Sequence, residues 1–472
     1  MVIIIWVIMS RFIDREEELR SIRERLGSPR FELIVVYGRR RVGKTRLVLE
    51  AVKGTRHVYY LAVEGDNLRH FRRVASLVVP ELRFVREDWE AYFNFLRDLV
   101  IVIDEFPNLI REDPGVVSVF QRIVDTVLQG TRTKLILVGS SVSMMTSRVL
   151  SYRSPLYGRR TASLRLGPMG FFEIRGFFPG AGWEELVEIY GFADGIPFYL
   201  ERVSTPFWDW LGRELARPDS FLRDELDFML RYEFVEVATY KKILEAIAMG
   251  RNTPKEIREY TGLRHSDITP YLRNLIEVGL VRREVPVTES ERSKKGRYYI
   301  SDNFTAFWLR YIQPNLSAIE EGVFSIDTIR SDYPNYLAWV FEKIARQFLV
   351  RLNKQGRLPL RFTKIGRWWH RGEEVDIVAL DPAGKKALLV EVKWSKLSER
   401  DAARIIARLE AKAEKIRELR GYQKHLGLVA KRIEDKEGLR ETGVYAWDLR
   451  DFDQAARGRR GEGGVGSAGG ER

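Results

Sequence analysis

The sequence predicts an α/β fold built on a parallel sheet, and three observations carry that prediction. Short uninterrupted apolar runs alternate with helical patterns as far as Val138. A glycine-containing turn joins the first of these runs to a helix. A later run ends in two adjacent carboxylates. Strands that are apolar throughout, rather than alternating, are buried on both faces, which is the situation of a parallel sheet covered by helices.

The elements follow in order. Phe12–Leu26 reads FIDREEELRSIRERL, with Leu19, Ile22 and Leu26 at helical spacing, acidic residues in the first turn and Asp14 as expected N-cap. Phe31–Tyr37, His57–Val63, Leu99–Ile103 and Lys134–Val138 are expected strands, and a helix opens at Lys44. Helical patterns dominate from Gly182 to Tyr232. Three short helices (Tyr240–Met249, Pro254–Tyr260, Ser266–Val278) then precede a polar hairpin over Leu280–Ile300, the layout of a winged helix. A helical connector leads to a helix over Tyr336–Leu352. Strand patterns follow at Phe362–Ile365, Glu374–Leu380 and Ala387–Val392, a charged helix over Ser398–Arg420, and closing strands at Leu426–Ala430 and Val444–Trp447. Residues 457–472 hold seven glycines and no apolar pattern, as in a disordered tail.

Composition excludes several chemistries. There is no cysteine, so disulfide scaffolds, thiol nucleophiles and cysteine-ligated zinc are all ruled out; five scattered histidines and no HExxH argue against catalytic zinc. The 79 basic residues exceed the 66 acidic ones by 13, a balance that suits a polyanionic partner. Met1–Met9 is apolar but too short to span a bilayer, and neither a basic lead nor a cleavage site flanks it. Met9 is the expected natural start. A membrane is not expected, and a cytoplasmic location is.

Gly38–Thr45 reads GRRRVGKT, a G-x-x-x-x-G-K-T element between an apolar strand and a helix. In that setting the backbone of Gly38, Arg39, Arg40, Arg41, Val42 and Gly43 wraps phosphate at a helix N-terminus. Lys44 reaches the outer phosphates, Thr45 binds Mg²⁺, and Arg46 follows in the first turn. Sixty residues after Lys44, the strand LVIVI ends in Asp104 and Glu105. Asp104 is expected on the Mg²⁺ shell and Glu105 as the group that polarises attacking water. Ser140, at the end of another strand, is a candidate γ-phosphate contact, with an ordinary turn as the competing reading. Arg159 and Arg160 are candidates for neutralising transition-state charge, with a solvated surface pair as the alternative. The cofactors on this reading are ATP and Mg²⁺.

FIDREEEL, YGRRRVGKT, LVIVIDEFPNL, LILVGSS, SPLYGRRTASLRLGPM and GFADGIPFYL together resemble the archaeal ATPase family of AAA+/STAND-like P-loop ATPases, over about Phe12–Val203. The resemblance implies an ATPase core followed by a small helical lid, with Gly195-Ile196-Pro197 in the lid facing the nucleotide. Family members usually have two glycines before Ile-Pro, whereas this chain has Asp194-Gly195.

The hairpin carries Arg282, Arg283, Arg292, Lys294, Lys295 and Arg297, and Arg264, His265, Arg273 and Asn274 lie near the expected recognition helix. Lys241–Ile300 has 13 basic and 8 acidic residues, which leaves phosphate contact and protein packing both open. Glu374–Lys393 places Asp376 before a turn and Glu391 and Lys393 on one face of the returning strand. This pattern resembles the PD-(D/E)XK nuclease core and the domain of unknown function that commonly follows this ATPase, with Glu342 matching the acidic residue of its first helix. The resemblance implies a second Mg²⁺ or Mn²⁺ on Asp376 and Glu391. Lys364, Arg367 and Arg371 are expected to guide a strand in. An exposed sheet salt bridge is the competing reading.

The expected organisation is an N-terminal extension (1–11), a P-loop ATPase core (12–180), a helical lid (181–235), a winged helix (236–302), a helical connector (303–332), an α/β PD-(D/E)XK nuclease-like domain (333–450) and a tail (451–472). The expected activity is Mg²⁺-dependent ATP hydrolysis coupled to action on nucleic acid, DNA favoured, with a homo-oligomer admitted. The alternative is an ATP-gated regulatory switch or winged-helix regulator with an inactive nuclease-like domain.

Overall fold

Five parallel strands form the first sheet of the computed structural model, which describes residues 12–456 apart from the side chains of residues 265–267. β1 (Glu32–Tyr37), β2 (His57–Leu61), β3 (Val100–Asp104), β4 (Lys134–Gly139) and β5 (Ala162–Arg165) lie in the order β2-β3-β4-β1-β5. β4 sits between the other two strands that feed the phosphate loop and the acidic pair. Strands β1, β3 and β4 are buried along nearly their whole length, because helices cover both faces. β5 was not anticipated. It is a four-residue edge strand of alternating half-exposed residues, so it lacks the continuous apolar run that marked the others. The expected start and most of the expected tail fall outside the described residues. Residues 451–456, assigned above to the tail, include the short helix Phe452–Ala456, whose Phe452 is fully buried.

The first helix spans Glu16–Leu26, but Asp14 does not cap it. Asp14 and Arg15 both adopt positive φ, and no side chain caps the helix. Helices Trp183–Ala193, Phe207–Ala216 and Glu225–Glu233 follow the sheet. Helices Val237–Ala248, Pro254–Thr261 and His265–Val278 come next, the second opened by a Thr253–Glu256 capping box. The antiparallel pair β6 (Val281–Glu284) and β7 (Arg297–Ile300) closes this segment. The following helix runs Asp327–Lys354, nine residues earlier than the expected Tyr336, and carries Pro334 inside it. It packs on a second sheet of β8 (Lys364–His370), β9 (Glu373–Asp381), β10 (Lys386–Leu397), β11 (Gln423–Ile433) and β12 (Tyr445–Asp448). β8, β9 and β10 pair antiparallel; β10, β11 and β12 pair parallel. Helix Glu399–Lys415 covers its other face.

One apolar core runs from Phe171 to Ala455 and joins the helices after the first sheet to the second sheet. Phe172 lies 5.5 Å from Phe452 and 6.3 Å from Phe348 between ring centroids, and Phe192 lies 5.7 Å from Phe304. No helix of the described residues is long and apolar enough to cross a membrane.

Candidate functional site

The phosphate loop owes its shape to positive φ at Gly38 (152°), Arg41 (74°) and Gly43 (91°). A Cβ on Gly38 would overlap the Leu166 carbonyl oxygen, so glycine is required there by space as well as by torsion. Lys44 is 4% exposed and donates to the Arg39 carbonyl at 2.8 Å. Burial pushes its ammonium down to about 8, and the carboxylates of Glu105 and Asp104 limit the fall. Thr45 Oγ1 donates to Asp104 Oδ2 at 2.6 Å, and Tyr59 donates to the same oxygen at 2.9 Å. Asp104 is 1% exposed, and burial raises its carboxyl against these two hydrogen bonds.

Glu105 follows with φ 54°. Its Oε1 accepts from Ser140 Oγ, and its Oε2 accepts from Tyr232 at 3.2 Å and from the Ser140 amide at 3.4 Å. Ser140 thus meets the acidic pair across neighbouring strands, which the sequence could not distinguish from a turn.

The arginines of the loop turn their side chains to the helical segments that follow the first sheet. Arg39 pairs with Asp302 at 2.8 Å, where both side chains are largely buried. The Arg40 guanidinium lies 3.5 Å from the Tyr232 ring centroid, and Arg41 pairs with Glu225 and stacks on Phe198 at 3.9 Å. Arg46 pairs with Glu201 at 2.8 Å. Arg15, absent from the expected set, is 8% exposed and donates to the carbonyls of Val42 and Gly167, anchoring the loop from outside. Its signal was the arginine in FIDREEEL.

Arg159 and Arg160 are not drawn into this cluster. Arg159 makes a two-point pair with Asp125 at 2.6 and 2.7 Å, and Arg160 donates to the Leu150 carbonyl at 3.0 Å. No bond among the described residues links either to Lys44, Asp104 or Glu105.

Asp194 replaces the expected glycine at φ 51° and serves as a buried junction. It accepts from the Gly195 amide (2.9 Å), the Asn303 amide (2.9 Å) and Lys343 Nζ (2.7 Å). A Cβ on Gly195 would overlap the Met169 carbonyl.

The second cluster sits on β9, β10 and the long helix. Lys393 Nζ lies 3.2 Å from Asp376 and 2.9 Å from Glu391, and Lys412 holds the other Glu391 oxygen at 2.8 Å. Burial and the Glu391 charge raise Asp376; burial also works against Glu391, but Lys393 and Lys412 hold it below its ordinary range. Glu342 is paired with Arg367, which also binds Glu374 at 2.6 Å. Burial pushes the Glu342 carboxyl up against that pull. Arg367 is therefore engaged with carboxylates rather than open to a strand. A cleft of about 220 Å³ opens here, walled by Glu342, Asp376, Arg346 and Arg367 on one side and by Arg282 and Glu284 of the hairpin on the other.

The hairpin packs on this domain. The Val287 amide donates to the Arg367 carbonyl at 2.9 Å, and Arg297 pairs with Glu374. Lys295 pairs with Glu289, Arg282 with Glu284, and Arg283 caps the carbonyls of Glu291 and Ser293.

Residues 12–203 match the family described as an ATPase domain predominantly from Archaea. The chain is also 59% identical to an uncharacterized protein of Methanocaldococcus jannaschii over 93% of its own length and the whole of that protein. The chain belongs to this archaeal ATPase family. Residues 308–405 match archaeal and bacterial proteins of unknown function. Among solved structures, the Walker-type ATPase of Pyrococcus abyssi aligns at TM-score 0.50 and 22% identity, over 63% of this chain and 96% of that one. The ORC2 protein of Aeropyrum pernix aligns at 0.43 and 15%, over 69% and 98%.

Proposed function

We propose that this archaeal P-loop ATPase hydrolyses ATP with Mg²⁺ and couples its nucleotide state to nucleic acid held at the C-terminal cleft. The 2.6 Å bond between Thr45 and Asp104 carries the first half: it sets two hard oxygens side by side beneath the loop, a donor set that suits Mg²⁺. When bound, that ion offsets phosphate charge. Lys44 leaves the Arg39 carbonyl to meet the outer phosphates, and the amides of the loop face them. Glu105, aimed by Ser140, polarises the attacking water.

The second half is a nucleic-acid function for the winged-helix-like segment and the cleft beside Asp376, supported by the guanidinium of Arg346, which lines that cleft and has no salt bridge among the described residues. The side chains there do not form an open metal site as they stand. Both Glu391 oxygens are engaged by lysines, and among the described residues no group of three or more acidic or histidine side chains is arranged to hold a metal. That saturation favours a second reading, an ATP-gated regulatory switch whose nuclease-like domain binds without cutting.

The test is ATP turnover by the full chain, with Lys44→Ala losing nucleotide binding and Glu105→Gln keeping binding but losing turnover. In parallel, DNA cleavage is measured with Mn²⁺ or Mg²⁺, with and without ATP. Cleavage abolished by Asp376→Ala establishes a nuclease. DNA binding without cleavage under every condition establishes the switch.

A further inference from the structure

The water-polarising carboxylate is held from three directions. Its own backbone sits at φ 54°, a strained region for a non-glycine residue that persists only where neighbours enforce it. Ser140 at the end of β4 holds one oxygen. Tyr232 holds the other, and it alone comes from outside the first sheet, in the last turn of helix Glu225–Glu233. Burial and the neighbouring Glu105 charge keep the Tyr232 hydroxyl protonated, so it can only donate to that carboxylate.

The ring of Tyr232 is fixed as closely as its hydroxyl. Arg40 of the phosphate loop covers one face at 3.5 Å, and Arg111 lies 5.2 Å from the same ring. The next residue, Glu233, accepts from the Val142 amide at 3.4 Å and from Ser143 Oγ at 3.2 Å, which pins the helix end to the segment leaving β4. The phosphate loop, the β4 terminus and the lid helix therefore converge on one tyrosine that touches the catalytic carboxylate.

We propose that Tyr232 is a positioning residue for ATP hydrolysis, which orients Glu105 toward the attacking water and makes that orientation conditional on docking of the lid helix. The proposal rests on the ATPase reading above. A carboxylate with one oxygen released can rotate away from the water without changing how the loop grips the nucleotide. The loss then falls on turnover rather than on binding.

The experiment uses the full chain. Tyr232→Phe keeps the ring under Arg40 and deletes only the hydroxyl. At saturating Mg-ATP its kcat should fall about tenfold, while KM and the affinity for a non-hydrolysable ATP analogue stay within about twofold of wild type. In a Glu105→Gln background the same substitution should change the single-turnover rate by less than about twofold, because the group it acts through is already gone. Tyr232→Leu, which also removes the stack on Arg40, should raise KM as well. A Tyr232→Phe kcat within about twofold of wild type overturns the proposal, as does a full loss repeated in the Glu105→Gln background. Hydrolysis that survives Lys44→Ala instead overturns the ATPase reading.

Discussion

ATP binding should draw a proton onto Lys44 when the solution is mildly alkaline. The Lys44 side chain is 4% exposed, with one carbonyl partner, and burial brings its ammonium down to about 8 from 10.5. Phosphate charge placed against it favours the protonated form and returns the value toward its ordinary range. The fraction of chains that must take up a proton is then about 0.1 at pH 7, about 0.5 at pH 8 and about 0.9 at pH 9. Apparent affinity should hold steady below pH 7 and fall about tenfold per unit above pH 8. Stability moves in the opposite direction to affinity as pH rises. The folded chain binds this proton less tightly than the unfolded chain, so the penalty, about 3 kcal/mol, is complete below pH 8 and is relieved as pH rises toward 10.5. The assay is titration calorimetry with Mg²⁺ and a non-hydrolysable analogue, in two buffers of different ionisation enthalpy at each pH. Equal apparent enthalpies in both buffers at pH 8 and pH 9 would show that no proton is taken up and refute the reasoning.

Three further outcomes follow from contacts described above. Asp302→Ala strands Arg39 in a buried site and removes the cap on Thr305, so it should cost about 3–5 kcal/mol in denaturant unfolding, and a loss below about 1 kcal/mol would contradict the pairing. Gly195→Ala forces a methyl into the Met169 carbonyl and should make the helices after the first sheet protease-sensitive, while a digestion pattern like wild type would show that the backbone gives way freely. In DNA binding, joint replacement of Arg292 and Lys294 should reduce the slope of log affinity against log salt by about 1.4–1.8 if both meet phosphate; an unchanged slope assigns the hairpin to protein packing alone.

The ATPase sheet was legible because buried parallel strands write themselves as unbroken apolar runs, and because the loop chemistry needs fixed residues at fixed spacing. β5 escaped for the converse reason: an edge strand of four alternating residues carries almost no pattern. In the fold, Lys44, Thr45, Asp104, Glu105 and Ser140 lie together at the ends of neighbouring strands. Arg159 and Arg160 do not, since nothing in a sequence with many arginines tells a transition-state group from one that binds a nearby aspartate. Tyr232 was illegible altogether. It lies 127 residues from Glu105, and an aromatic residue in an amphipathic helix reads as core. Asp194 looked like a departure from the family pattern, but it accepts three hydrogen bonds that only the folded chain reveals.

The continuous core from Phe171 to Ala455 makes one packed body of the second sheet and the helices that follow the first. With Phe172 and Trp183 on one side and Phe348 and Phe452 on the other sharing the same packed interior, the second sheet does not hang from a tether. It shares its interior with the helices that meet the phosphate loop at Arg39, Arg40 and Arg41. The chain from Leu166 to Met169 joins the two bodies and is tied to both, the Leu166 amide donating to the Tyr37 carbonyl of the first sheet and the Met169 amide to the Gly195 carbonyl of the later helices, each at 2.7 Å.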